Sequence, residues 1–144
     1  MSIFNSLHIN ASGLSLERLK LDTISTNIAN VNTTRTEEGG PYLKKEVQFE
    51  ENFKQVKSSF TENIERKSFG VKTTAIVENN TGLTTEYNPT HPDADEEGYL
   101  QLSNVNMADE MIEMIMTQRT YDANVTAMNA SKEMLKKALE IKTN

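Results

Sequence analysis

The sequence predicts a mainly α-helical protein with a small β insert. Long N- and C-terminal helices form a coiled-coil-like pair and flank a short strand-rich middle region. Two observations carry this expectation. Near both ends of the 144-residue chain, apolar residues recur at alternating spacings of four and three. All three prolines and five of the six glycines fall between these ends.

The first segment, residues 1–32, reads Ile3, Leu7, Asn10, Leu14, Glu17, Leu21, Ile24, Ile28 and Val31 along its seam. Only Asn10 and Glu17 interrupt the apolar stripe. Asn5 or Ser6 suits the helix start. Asn30, Asn32 and Thr33-Thr34 suit its end, because their side chains compete for backbone hydrogen bonds.

The last segment, residues 106–144, reads Met107, Met111, Met114, Gln118, Tyr121, Val125, Met128, Lys132, Leu135, Leu139 and Lys142, with Ile112 and Ile115 widening the apolar face. Asn106 is the expected N-cap. Asp109 and Glu110 suit the positive end of the helix dipole, and Lys136 and Lys137 the negative end. A helix of about 35 residues is about 50 Å long, too long for a compact domain of this size.

The middle, residues 33–105, holds strand candidates at 42–49, 71–77, 83–87 and 98–102. Asn79-Asn80-Thr81-Gly82 reads as a hairpin turn. Phe53, Val56, Phe60 and Ile64 fit helical spacing, so that stretch reads as a short helix or as loosely ordered chain.

Composition narrows the function. Hydrophobic residues make up 36% and aromatics 6%, which supplies a small core at most. The net charge of -6 and the scattered bases argue against nucleic acid; Lys44-Lys45 and Lys136-Lys137 read as solvated faces. The absence of cysteine excludes disulfides and thiolate metal sites. No positive charge precedes the first apolar residues and no apolar run has membrane-spanning length, so neither an ordinary signal peptide nor a membrane anchor is expected.

Nothing in the chain reads as catalytic. Phosphate-binding glycine loops and nucleophile elbows are missing, and neither His8 nor His91 is paired with a nucleophile. The segment Asn88-Pro89-Thr90-His91-Pro92-Asp93-Ala94-Asp95 offers oxygen ligands and one imidazole, but it reads better as a proline-shaped loop than as a cation site. No enzyme activity, cofactor, metal or small-molecule substrate is expected.

Two apolar-seamed helices cannot hide their own stripes singly. They pair with each other, as in a self-contained helical adaptor or chaperone-like protein, or with neighbouring subunits; periodicity leaves both open. The polar seam residues Asn10, Glu17, Gln118 and Lys132 suit a role in fixing register.

Particular motifs decide between these. Ser12-Gly13-Leu14 followed by Asn27-Ile28-Ala29-Asn30-Val31-Asn32-Thr33 resembles the N-terminal signature of flagellar rod and hook proteins. Gly39-Gly40-Pro41-Tyr42, the loop from Tyr87 to Asp95 with Gly98-Tyr99, and Asn104-Val105-Asn106 narrow the resemblance to the proximal-rod type. Arg119-Thr120-Tyr121-Asp122-Ala123-Asn124-Val125 extends it through the C-terminal helix. Leu43-Lys44-Lys45 replaces the usual arginine pair, and Ser103 stands where proline is common.

The resemblance implies a structural subunit of the proximal rod, the hollow drive shaft for motility. It implies terminal helices assembling into a tube with other rod proteins and further copies of the chain. Contacts with the basal-body ring and adjoining export-gate components are implied too, as is uncleaved export across the cytoplasmic membrane by the flagellar type III apparatus. The expected subunit interface comprises Leu7, Leu14, Leu21, Ile24, Asn27, Ile28, Asn30, Met111, Ile115, Tyr121, Val125, Met128, Leu135 and Leu139. Leu135→Glu is expected to block assembly with expression nearly unchanged; cells that carry it and swim normally would overturn this expectation.

Overall fold

The computed structural model describes residues 3–57 and 64–142. Helix α1 (Ile3–Ala29) is followed by strands β1 (Lys44–Lys57), β2 (Ile64–Asn79), β3 (Thr84–Tyr87) and β4 (Tyr99–Leu102), and then by helix α2 (Met107–Lys142). Long terminal helices flanking a small strand-rich middle match the expected class. β1 pairs with β2, and six intervening residues are too few for a parallel crossover. β3 and β4 form a separate antiparallel pair, with Thr84 opposite Leu102 and Tyr87 opposite Tyr99. The Tyr87 and Tyr99 rings meet edge to face at 5.4 Å.

The helix ends follow local chemistry. Thr26 and Asn30 bond back onto carbonyls one turn earlier, Thr26 Oγ1 to Asp22 O and Asn30 Nδ2 to Thr26 O, and α1 stops there. Asn106 caps α2: its Oδ1 accepts from the Ala108 N–H at 3.0 Å, and its carbonyl accepts from the Glu110 N–H.

Two expectations for the middle need correction. Phe53 lies in β1, a 14-residue strand, rather than on a short helix; Phe60 lies outside the described residues. The helical spacing there is coincidental, because cross-strand pairing with β2 decides the conformation. The Asn79–Gly82 segment does not close a hairpin, since β2 and β3 belong to different sheets. Asn79 Oδ1 instead accepts from the Thr81 N–H and hydroxyl, which turns the chain from one sheet into the other.

The chain forms two compact units. One comprises Met1–Leu19, Gln48–Ala75 and Thr117–Asn144; the other comprises Lys20–Val47 and Ile76–Met116. In the first unit, the pair Ser12-Gly13 serves two neighbours of α1. A Cβ on Gly13 would lie 3.1 Å from the Asn124 amide, so glycine lets α2 approach. Ser12 Oγ donates to Ile9 O at 2.7 Å and accepts from the Val71 N–H at 3.1 Å, which docks β2 on the helix. Gly70 makes that contact possible. Its φ is +98°, and a Cβ there would fall on the Ser12 hydroxyl. Asn5 Nδ2 adds a bond to Ser68 O.

The covered surface is unusually polar. Leu16, Ile24, Tyr42, Leu100 and Val105 are the buried hydrophobic residues among those described. Glu17, Thr23, Asn27, Ser103, Glu110, Thr117 and Ser131 are buried as well. Along α2 the covered positions step by fours and threes through Glu110, Met114, Thr117, Tyr121 and Asn124, then Ser131 and Leu135. This register shares Met114, Tyr121 and Leu135 with the apolar seam. It takes Glu110, Thr117, Asn124 and Ser131 where the seam has Met111, Gln118, Val125 and Lys132.

Gly70→Ala combines left-handed strain with a clash against Ser12, so a loss of about 2–4 kcal/mol is expected. The denaturant midpoint at unchanged slope measures it; an unaltered midpoint would refute the close docking of β2 on α1.

Candidate functional site

The most organised site is a polar clamp around Asn27 in the second unit. Asn27 is 1% exposed and sits near the end of α1. Its amide nitrogen donates to Lys45 O at 2.9 Å and to Glu110 Oε2 at 3.0 Å. Its amide oxygen accepts from Tyr42 Oη at 2.9 Å and from the Lys45 N–H at 3.0 Å. Both donors and both acceptor sites of the side chain are therefore used. One residue ties the end of α1 to the start of β1 and to the first turn of α2.

Glu110 is fully buried, and Lys44 compensates its charge: Lys44 Nζ lies 2.7 Å from Oε1. Oε1 receives no well-angled hydrogen bond, so this contact acts chiefly as an ion pair. Burial alone would lower the Lys44 pKa. The hydrogen-bonding proximity and charge of Glu110, with Glu113 and Glu46, outweigh it and hold the ammonium above its ordinary value of 10.5. Burial, with the charges of Glu78 and Glu110, raises Tyr42 above its ordinary 10.0. Lys45 lies over the Tyr42 ring at 5.9 Å and 3.5 Å from Glu78.

The Lys44-Lys45 pair is thus no solvated face, as the sequence had suggested. Lys44 neutralises a buried acid and Lys45 joins the clamp. Alternation along β1 puts Lys44 on one face, but nothing in the sequence marks its partner, 66 positions on. Glu110 itself reads from sequence only as a favourable charge at a helix start.

Asn104 extends the lattice. Its Oδ1 accepts from the Lys44 N–H at 2.8 Å, and its amide donates to Asn79 O and Thr81 O. The Gly-Gly-Pro-Tyr segment closes on itself through Thr36 N to Gly40 O and Tyr42 N to Thr33 O, with Gly39 and Gly40 at φ of 89° and 81°. In the loop after β3, Asp95 Oδ1 accepts from the Glu97 and Tyr99 amides, and His91 Nδ1 accepts from the Asp93 amide. Asp93 receives the Thr34 hydroxyl at 2.8 Å and lies 3.8 Å from Arg35. These carboxylates thus hold the loop. The two loops together line a shallow depression of about 420 Å³.

The expected interface residues divide into three groups. Ile24 and Asn27 are buried within the chain itself; Leu7, Leu14, Leu21, Ile28, Asn30, Tyr121, Val125 and Leu135 are half-buried. Met111, Ile115, Met128 and Leu139 are exposed. Ile24 is enclosed by the chain, and Asn27 is occupied in the clamp. Leu135→Glu, at a half-buried position, tests the fold together with assembly.

Comparison with known proteins places the chain in a family. Residues 7–35 match the family described as flagella basal body rod protein, and residues 96–141 match flagellar basal body rod FlgEFG protein C-terminal. The class is that of flagellar rod proteins. The chain is 41% identical to the flagellar basal-body rod protein FlgC of Bacillus subtilis, covering 98% of this chain and 99% of that one. It is 39% identical to FlgC of Borreliella burgdorferi, at 98% of both chains, and 29% identical to FlgC of Salmonella typhimurium, again at 98% of both. The chain belongs to the FlgC family of flagellar basal-body rod proteins, structural rod subunits of the flagellum.

Asn27→Ala strips partners from Glu110, Tyr42 and the Lys45 backbone together, with an expected loss of about 2–4 kcal/mol. Asn27→Asp puts a second carboxylate beside Glu110. The pair then holds one proton more tightly when folded, so the variant's stability falls as pH rises from the acid range towards neutrality. In the native chain, Lys44 and Tyr42 bind their protons more tightly folded than unfolded. Their contribution is complete below about pH 10 and is lost as pH climbs through the raised folded values. Melting curves across pH 4–12 check both signs; a flat alkaline limb would refute the clamp's electrostatics.

Proposed function

We propose that this subunit joins the proximal rod through its terminal helices, with α1 and α2 paired as an antiparallel coiled coil and the outward face of α2 turned to neighbouring subunits. The observation that carries this reading is an inversion of polarity on α2. Glu110 and Thr117 are covered by the chain, whereas Met107, Met111, Ile112, Ile115 and Met116 are exposed, Met111 by 55% and Ile115 by 53%. So dense an exposed apolar stripe on one helix is a surface for association. Methionine suits it, because its flexible thioether adapts to non-identical neighbours.

Helix pairing has two supports. Gly13 meets Asn124 in one unit, and Asn27 bonds Glu110 in the other. The resemblance to rod proteins supports the remainder: other rod proteins and further copies of the chain as neighbours, contact with the basal-body ring and export gate, and passage across the cytoplasmic membrane by the flagellar type III apparatus.

A photo-crosslinking residue at Ile115 in living cells tests the reading. Adducts to rod or basal-body proteins are expected; adducts confined to the chain's own α1 would favour a self-contained adaptor and defeat it. Ile115→Glu, at an exposed position, is expected to abolish swimming while the protein accumulates and melts as the parent does. Normal motility would count against the stripe as a joint.

A further inference from the structure

We propose that successive copies of this chain are held in register by charge, the N-terminal part of α2 in one copy packing against the C-terminal part of α2 in another. The inference rests on the assembly reading above and specifies which surfaces meet. It begins from an asymmetry in the sequence. Between Lys72 and Arg119 the chain has nine acidic residues and no Lys or Arg. The end of α2 is the reverse, with Lys132, Lys136, Lys137 and Lys142 against Glu133 and Glu140.

Of these residues, Asp109 and Glu113 of the acidic set and Lys132, Lys136 and Lys137 of the basic set lie on the exposed surface of α2, beside exposed apolar residues. In the first part of α2, Asp109, Ile112 and Glu113 are spaced i, i+3, i+4 and share a face, with Ile112 58% exposed. In the last part, Lys132 and Lys136 are exposed at i, i+4. Met134, Lys137 and Ile141 share a neighbouring face, with Ile141 80% exposed. Glu110 is not available to this surface, because it is buried against Lys44. Glu113 is shared with Lys44 at 3.9 Å and Lys137 is paired with Glu140 at 2.8 Å, so each patch is an apolar strip with a net charge rather than a single sign, acidic at the start of α2 and basic near its end, and the two are complementary.

A helix cannot fold back on itself, so the two stretches of α2 meet only when a second copy supplies one of them. Apolar contact provides the attraction. The charges select the stagger, because acid against acid or lysine against lysine is repelled. A contact between two different patches of identical chains is heterologous and propagates as an open series, the form a rod requires.

The test uses the full-length protein in sedimentation velocity at low and high salt. One variant carries Asp109→Lys and Glu113→Lys; the other carries Lys132→Glu and Lys136→Glu. Each alone presents like charges and is expected to self-associate roughly tenfold more weakly than the parent at low salt, with the deficit closing at high salt. Mixed together, the two variants are complementary and association is expected to recover. Circular dichroism and melting curves verify that each variant folds. The lysine-reversal variant, altered only at exposed positions, decides the matter by itself if its counterpart unfolds. Undiminished association of that folded variant, or two folded variants that fail to recover on mixing, would overturn the charge register. Neither result touches the crosslinks at Ile115, so failure of the register and failure of assembly are told apart.

Discussion

The fold of the second unit depends on one buried acid and the two residues that make its burial tolerable. Glu110 is fully enclosed, and an enclosed carboxylate without partners is severely destabilising. Lys44 supplies the opposite charge and Asn27 a directed hydrogen bond. The three residues come from three elements: the first turn of α2, the start of β1 and the end of α1. Moving any one element by an ångström or two leaves a buried charge unpaired. Such an ion pair contributes little net stability compared with a hydrophobic replacement, but it penalises every other arrangement of those elements. Its value here is in specifying geometry. Asn27 reinforces this, because an amide with all four of its hydrogen-bonding positions used tolerates no rotation.

A polar interior has a consequence for the surface. The chain has few large apolar residues, and only Leu16, Ile24, Tyr42, Leu100 and Val105 among those described are buried. Many of the others are half-buried, and a large group is displayed: Phe4, Phe49, Phe53, Met107, Met111, Ile112, Ile115, Met116 and Leu139. Gly13 lets the Asn124 side chain of α2 come close, and Gly70 lets β2 lie against Ser12. Close approach and hydrogen bonds thus do much of the work of holding the subunit.

The same arrangement explains what was legible in the sequence. Helix existence, the Asn106 cap and the positions of β3 and β4 follow from local rules, and local rules are visible locally. The face of α2 that the chain itself covers departs from the apolar seam by one position at every second step, because apolar periodicity locates the apolar face and says nothing of which face the chain covers. Met111 and Ile115 mark the exposed side, and Glu110 and Thr117 the covered side. The length of β1 was missed because a strand is stabilised by its partner, and pairing with β2 is non-local. Lys44 was misread for a similar reason: its meaning lies in Glu110, far along the chain. The family signature carried the missing information. Ser12-Gly13, Asn27, Tyr42, Asn104 and Asn106 all turn out to be contact or capping residues, so the resemblance was reading tertiary constraints that periodicity cannot express.

A division of roles follows for a subunit that must be built into a larger structure. If the apolar residues of α2 were covered by the chain's own fold, the protein would be more stable alone and would have less to offer a neighbour. If the inner face were apolar as well, both faces of the helix would be sticky, and nothing would determine which one turned inward. Placing Glu110 and Asn124 on the covered face resolves the ambiguity, because Glu110 takes its partners from Asn27 and Lys44, and Asn124 meets Gly13 of α1. The outer face then has no comparable requirement, and flexible methionines let it adapt to more than one surface. In the assembly proposed above, specific polar contacts fix the subunit and adaptable apolar contacts form the joint.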